Sequence, residues 1–133
     1  DAHTRLVFVA NPNNPTGTWL PPAELEAFVA SLPAHALCVL DEAYGEYMAP
    51  EQLPDTAGWL ERYPNLVVTR TFSKAYGLAG LRVGYALAHA QVTDLLNRVR
   101  QPFNVNLQPV VALRAMPGTA SHKMSANTWL RHA

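Results

Sequence analysis

The sequence has little of what marks secreted, membrane or nucleic-acid-binding proteins. Its single cysteine, Cys38, lies in a short apolar run, so no disulfide can form within the chain. No apolar stretch approaches the roughly 20 residues of a membrane span, and the first residues lack the apolar core of a signal peptide. Ten basic and ten acidic side chains cancel, which leaves no electrostatic footprint for nucleic acid or an anionic membrane. We therefore expect a cytoplasmic protein without either partner.

Several catalytic signatures are also missing. The sequence has no G-x-S-x-G serine-hydrolase elbow. An apolar run ends in Asp41 and Glu42, as in the magnesium-binding strand of an NTPase, but there is no G-x-x-x-x-G-K-[ST] phosphate loop to accompany it. The histidines are scattered without the spacing of metal ligands, so no metal site is predicted. They are His3, His35, His89, His122 and His132.

Short apolar runs alternate with helical patterns along most of the chain. The 133 residues are 49% hydrophobic and 15% charged, which is typical of one globular domain. β-branched and aromatic content favours strands for the apolar runs, and strand–helix–strand alternation predicts an α/β fold with parallel strands and right-handed crossovers. The predicted strands are 6–10, 36–40, 66–69 and 81–88, the predicted helices are 21–32 and 92–99, and one helical turn is expected near 59–62.

The most polar segments follow the predicted strands. They are 11–17, 41–44 and 71–74, and each begins at or next to the C-terminal end of an apolar run. In open α/β sheets, ligands bind beyond the carboxyl ends of the strands. The three segments are therefore expected to meet at one rim of the sheet and to form a binding site.

The side chains of these segments match the needs of one cofactor. Together they supply an amine, a carboxylate, a phenol, an amide, hydroxyls and, close by, a guanidinium. Pyridoxal phosphate (PLP) needs a lysine for covalent attachment, an acid at its pyridinium nitrogen, and donors for its phenolic oxygen and phosphate. The sequence therefore points to PLP as the cofactor.

The motifs themselves resemble those of a known family. NPNNPTG at 11–17, DEAY at 41–44 and TFSKAYGLAGLRVGY at 71–85 together are similar to fold-type I PLP-dependent aminotransferases. QPFNVN at 101–106 adds a likeness to the histidinol-phosphate aminotransferases within them. The resemblance covers about residues 5–106, and it implies the large PLP-binding domain: a partial three-layer α/β/α fold with a mostly parallel mixed sheet. It also implies that the strand near 83–88 runs antiparallel.

The resemblance implies three catalytic residues. Lys74 would bind PLP covalently and, once displaced by substrate, would carry the proton between the substrate Cα and the cofactor. Asp41 would face the pyridine nitrogen and keep it protonated. Tyr44 would donate a hydrogen bond to the phenolic oxygen. A surface lysine, a helix cap and a packed aromatic ring are the respective structural alternatives.

Further cofactor contacts follow from the same resemblance. Asn14 would share the phenolic oxygen with Tyr44, although a turn-forming asparagine beside proline is the alternative. Arg82 would contact the phosphate, because a guanidinium suits bidentate phosphate binding, unless it forms a structural salt bridge. The hydroxyls of Thr71 and Ser73 would lie beside it. Weaker candidates are Glu42, Tyr47 and Tyr76.

The sequence divides into two segments, and more than one activity is compatible with it. Residues 1–106 are interpreted as part of the PLP-binding domain, and 107–133 as an atypical tail, disordered or translated from a shifted reading frame. The reaction implied by the resemblance moves an amino group between histidinol phosphate or imidazole-acetol phosphate and glutamate or 2-oxoglutarate. The full-length enzyme implied by the resemblance is a homodimer that acts on small molecules. The alternatives are a threonine-phosphate decarboxylase, an aromatic aminotransferase, or an inert fragment without catalysis.

Overall fold

A four-stranded mixed sheet organises the chain. The computed structural model describes residues 2–102 and 104–105; the predicted tail at 107–133 lies outside them. Strand order is β1-β2-β3-β4, with β1, β2 and β3 parallel and β4 antiparallel to β3. The elements are β1 (Leu6–Ala10), α1 (Pro22–Ser31), β2 (Leu37–Asp41), α2 (Thr56–Trp59), β3 (Leu66–Thr71), β4 (Gly84–Ala88) and α3 (Ala90–Val99).

The main core lies between one face of the sheet and helices α1 and α2. Alternate strand residues point to this face because side chains alternate along a strand. Leu25 and Val29 of α1 are buried against them, and complete burial of a leucine stabilises the fold by roughly 1.5–3 kcal/mol. The buried members of this core are Leu25, Val29, Cys38, Leu40, Trp59, Leu66 and Val68.

The opposite face of β1 is open. Phe8 is 71% exposed and Leu6 is 47% exposed, although both lie in the strand that the sequence indicates is apolar. Among the described residues, no helix is long and apolar enough to cross a membrane. The predicted α/β class, the mostly parallel mixed sheet and the antiparallel last strand are confirmed.

Two predicted elements are placed differently. The last strand begins at Gly84, and the residues before it form a 3-10 turn, Ala79–Leu81, that ends at Arg82. The chain reverses there so that β4 can pair antiparallel with β3. The helical turn predicted near 59–62 is α2 at Thr56–Trp59, because the Asp55 carboxylate accepts a hydrogen bond from the Gly58 N–H and starts the helix earlier.

Candidate active site

One cavity at the carboxyl ends of the strands collects the predicted catalytic residues. It has a volume of about 330 Å³. The parallel pairing of β1 with β2 and of β2 with β3 brings the three polar segments to the same rim. Its lining residues are Ala10, Pro12, Asn14, Asp41, Ala43, Tyr44 and Lys74. An amine, a carboxylate, a phenol and an amide therefore face one space.

Asp41 is held in one orientation. It is the last residue of β2, and its Oδ1 accepts hydrogen bonds from the Ala43 N–H over 3.1 Å and from the Thr69 hydroxyl over 3.2 Å. Both bonds end on the same oxygen, and no residue that the structure describes donates to the second oxygen, Oδ2, so its lone pairs can accept from a donor in the cavity. A carboxylate oriented in this way is suited to pair with a ring N–H.

Asn14, Tyr44 and Lys74 form a connected group beside that carboxylate. The Asn14 Nδ2 donates to the Tyr44 hydroxyl over 2.9 Å, which joins the loop after β1 to the turn after β2. The Lys74 Nζ lies over the Tyr44 ring, 5.4 Å from its centroid, within the range of a cation–π contact. Lys74 and Asp41 are both exposed, so the cavity is accessible to a ligand.

The predicted phosphate contacts form a second group around the end of β3. The Arg82 Nη1 donates to the Ser73 hydroxyl over 3.4 Å and to the Ala79 carbonyl over 3.0 Å. Thr71 is buried, and its hydroxyl accepts from the Ser73 N–H over 3.1 Å. Because Ser73 precedes Lys74, the group adjoins the cavity, although none of its three predicted residues lines the cavity itself.

Arg82 occupies an unusual backbone conformation. Its φ of 52° and ψ of 50° are left-handed, which is uncommon for a residue other than glycine. The sequence predicts Arg82 inside the strand 81–88, and this is wrong. Arg82 is an exposed residue of the turn before β4, where its guanidinium can point toward the Ser73 hydroxyl.

A larger neighbouring cavity is lined by fewer reactive side chains. Its volume is about 410 Å³, and it shares Pro12, Asn14 and Tyr44 with the first cavity. The weak candidate Tyr47 lines it, 66% exposed, with its ring 6.1 Å from that of Tyr44. It contains neither the lysine nor the carboxylate, so the chemistry belongs to the smaller cavity.

Glu42 belongs to an ion pair behind the site, in which Glu42 is buried and Arg70 is half-buried. Its Oε2 accepts from the Arg70 Nε over 2.8 Å and lies 2.7 Å from Arg70 Nη2, while its Oε1 accepts from the Thr56 hydroxyl over 2.8 Å. Burial raises the pKa of Glu42 above its usual value, although Arg70 and Thr56 lower it. Burial would lower the pKa of Arg70, but Glu42 and Tyr85 together outweigh burial and raise the pKa above its usual value. The hydrogen bonds favour the charged pair.

Sequence reasoning missed Thr69, Arg70 and Thr56. The sequence predicts Thr69 only as the end of a strand, and its contact with Asp41 depends on the β2–β3 register, which pairs the two residues directly. Arg70 carried a usable signal, because a charged residue in an otherwise apolar strand needs a partner. Among the described residues, no group of three His, Cys, Asp or Glu side chains could hold a metal ion.

Comparison with protein families identifies the family of the chain. The family model described as aminotransferase class I and II matches residues 1–131. The chain belongs to the aminotransferase class I and II family. The match extends beyond residue 106, where the motif resemblance ends.

Two curated relatives of this aminotransferase chain are named histidinol-phosphate aminotransferase 1. The chain is 60% identical over 124 residues to the protein of Cupriavidus pinatubonensis, covering 92% of this chain and 33% of that protein. It is 64% identical over 112 residues to histidinol-phosphate aminotransferase 1 of Thiobacillus denitrificans, covering 84% of this chain and 29% of that protein. The chain thus spans about a third of the length of these relatives.

A solved structure has the same arrangement of elements. The histidinol-phosphate aminotransferase of Sinorhizobium meliloti, in complex with pyridoxal-5'-phosphate, superposes with a TM-score of 0.72 at 44% identity. The match covers 76% of this aminotransferase chain and 27% of that protein. The fold-type I aminotransferase fold is therefore confirmed.

Proposed function

We propose that this chain forms part of the PLP site of a histidinol-phosphate aminotransferase, with Lys74 as the covalent attachment point. The observation that supports it is the single cavity lined by Lys74, Asp41, Tyr44 and Asn14. Relatives named histidinol-phosphate aminotransferase at 60% and 64% identity give the substrate class. The reaction would transfer an amino group from histidinol phosphate to 2-oxoglutarate, in histidine biosynthesis.

The donor set fits PLP group by group. The cofactor has an aldehyde, a basic ring nitrogen, a phenolic oxygen and a phosphate. The Lys74 amine, the free Oδ2 of Asp41 and the linked Asn14–Tyr44 pair match the first three. Arg82, hydrogen-bonded to Ser73 next to Lys74, matches the phosphate with a guanidinium and a hydroxyl.

Each residue has a distinct task in this proposal. PLP supplies an electron-accepting ring once it is bound. Asp41 holds a proton at the ring nitrogen, which keeps the ring electron-poor, and Tyr44 and Asn14 donate hydrogen bonds to the phenolic oxygen. Lys74 would hold the cofactor through its amine, and the same amine would remove the proton from the substrate Cα as a general base. Arg82, Ser73 and Thr71 anchor the phosphate end.

Borohydride reduction of the full-length protein with PLP tests the attachment. Reduction makes the lysine–PLP linkage permanent, so a peptide containing Lys74 should gain the mass of the reduced cofactor. The sequence has a second lysine, Lys123, which provides a matched control. Lys74→Ala should abolish the adduct and Lys123→Ala should retain it; an adduct that survives Lys74→Ala would reject the assignment.

Substrate assays on the same protein separate the possible reactions. Glutamate formed from 2-oxoglutarate with histidinol phosphate supports the proposal. Carbon dioxide released from threonine phosphate, or amino transfer only from aromatic amino acids, would replace it with a sister PLP enzyme. PLP attachment without turnover of any of these would leave a binding module without catalysis.

We also propose a homodimeric, cytoplasmic enzyme that acts on small molecules. The single cysteine is buried as a free thiol, which is compatible with a reducing compartment. The exposed Leu6 and Phe8 of β1 leave an apolar surface for further protein to cover. Sedimentation of the full-length protein as a monomer at micromolar concentration would contradict the dimer.

A further inference from the structure

The ion pair of buried Glu42 and half-buried Arg70 lies directly behind the proposed cofactor site. Glu42 follows Asp41 in the chain, and Arg70 lies between Thr69 and Thr71 at the end of β3. Side chains alternate along extended backbone. Asp41, which lines the cavity, and Thr69 therefore lie on one face of the sheet, while Glu42 and Arg70 face the side on which α2 packs.

The Thr56 side chain joins Glu42 and Arg70 in a compact hydrogen-bonded unit. Arg70 donates from Nε and Nη2 toward one oxygen of Glu42, and the Thr56 hydroxyl donates to the other oxygen. Arg70 Nη2 also reaches the Thr56 hydroxyl over 3.4 Å. Glu42 is 4% exposed and Thr56 is fully buried. The unit joins the ends of β2 and β3, with the Glu42 carboxylate shielded from water and the Arg70 side chain 30% exposed.

A second set of contacts extends the unit to the loop that carries Lys74. Tyr85 of β4 lies directly opposite Arg70 in the pairing of β4 with β3, and its ring packs 5.4 Å from that of Phe72. The Phe72 ring lies 5.2 Å from that of Tyr76, two residues after Lys74. Burial and the nearby Glu46 carboxylate raise the pKa of Tyr76, and Glu46 belongs to the 3-10 turn Gly45–Tyr47 that follows Tyr44.

Stability alone is a weak reason for such a pair. Removing two charges from water costs free energy that their attraction often fails to recover, and apolar residues of similar volume frequently replace a buried pair without loss. The raised pKa of Glu42 agrees with a cost of burying its charge. What apolar residues cannot supply is a directional link between two strand ends.

We propose that Glu42 and Arg70 are positioning residues, whose hydrogen-bonded pair fixes Asp41 on β2 relative to the Lys74 loop after β3. The inference rests on the proposed PLP function. Without the pair, the two strand ends could shift, and Asp41 would no longer meet the ring nitrogen of a cofactor attached to Lys74. Cofactor affinity and the protonation of bound cofactor would then change even in a stably folded protein.

The double variant Glu42→Leu with Arg70→Met separates positioning from stability. It removes both charges together, so no single buried charge is left without its partner. In the full-length protein we expect the melting temperature of the cofactor-free form to stay close to that of the wild type. The Kd for PLP should rise about tenfold or more, and the pH midpoint at which the visible band of bound PLP changes should move.

A second ion pair in the chain provides the matched control. Arg62 and Glu26 lie 2.6 Å apart on the α1 side of the sheet, away from the cavity. Glu26→Leu with Arg62→Met should change neither the Kd for PLP nor the pH midpoint. Equal changes in the control variant would overturn the proposal, because any lost ion pair would then have the same effect.

A milder variant covers the case in which the double variant does not fold. Arg70→Lys keeps the charge but loses the planar fork that donates to Glu42 and Thr56. A folded cofactor-free Arg70→Lys protein with a raised Kd for PLP supports positioning. Wild-type Kd and pH midpoint in every folded variant, or failure of both variants to fold, would overturn it.

The wild-type protein distinguishes this inference from the function on which it depends. If wild-type protein forms no borohydride-stable adduct on Lys74, the proposed function fails. If wild type and the double variant both form the adduct with equal Kd and equal pH midpoint, only the positioning role fails.

Discussion

The Thr69 hydroxyl donates to Asp41 Oδ1 over 3.2 Å, across the parallel pairing of β3 with β2. This hydrogen bond and the one from the Ala43 N–H both end on Oδ1, and together they fix the orientation of the carboxylate. Thr69 does not line the cavity, so it can act on a ligand only through Asp41. A side chain outside the cavity therefore orients the acid of the proposed site.

Thr69→Val should weaken PLP binding without unfolding the protein. Valine keeps the β-branched shape but removes the donor, and a hydrogen bond to a charged group contributes about 1.5–3 kcal/mol. Because Ala43 still holds Asp41, we expect the lower part of that range, roughly a tenfold higher Kd. Thr69→Ser keeps the hydroxyl and should bind PLP like the wild type. Equal affinity in the Val and Ser variants would contradict the role of the hydroxyl.

Tyr44→Phe should shift the protonation of bound PLP. The tyrosine would donate to the phenolic oxygen, stabilise its anion and lower the pH at which the cofactor linkage to Lys74 loses its proton. Removing a donor to a charged oxygen should raise this midpoint by about one pH unit or more. The measurement is the visible absorbance of the holoenzyme, without borohydride treatment, as a function of pH. Tyr47→Phe is the control, because Tyr47 lies in the neighbouring cavity. An unchanged midpoint in Tyr44→Phe would show that Tyr44 does not donate to the phenolic oxygen.

The sequence predicted the strands and the rim of the sheet well because both depend on local patterns. Leu6–Ala10 is both the predicted and the observed first strand, and apolar runs with β-branched residues specify such elements directly. The convergence of Asp41 and Lys74 on one cavity followed from parallel strands that present their carboxyl ends to one rim. Their roles toward PLP stay predictions.

The errors and omissions depend on information that a linear pattern does not contain. Arg82 was assigned to a strand because apolar residues follow it, whereas the turn at Ala79–Leu81 sets its backbone. The partnership of Thr69 with Asp41 needs the strand register. The pairing of Glu42 with Arg70 joins residues 28 positions apart. Register and tertiary packing decide these contacts, and neither has a periodic signature.

Gly77→Ala should destabilise the Lys74 loop through the backbone alone. Gly77 has a φ of +67°, and a Cβ added there would meet nothing within 4 Å. The left-handed conformation costs a residue with a Cβ roughly 1–2 kcal/mol. Gly80 also has open space for a Cβ but no positive φ, so Gly80→Ala is a matched control and should be nearly neutral. Urea denaturation measures both; equal free energies of unfolding in the two variants would show that the backbone at Gly77 carries no such cost.

Glu42 should make the protein less stable as pH rises, in contrast to an ordinary paired carboxylate. Burial raises the folded pKa of Glu42 above the ordinary value of 4.5, outweighing the opposing Arg70 and Thr56 while Glu46 adds to the rise. A raised folded pKa gives stability that is fully present below pH 4.5 and is lost as pH rises through the folded value. Glu42→Gln cannot titrate and lacks this component. The free energy of unfolding of the wild type, minus that of Glu42→Gln, should therefore fall from pH 4.5 upward; a difference that grows with pH would mean that the attraction of Arg70 outweighs burial.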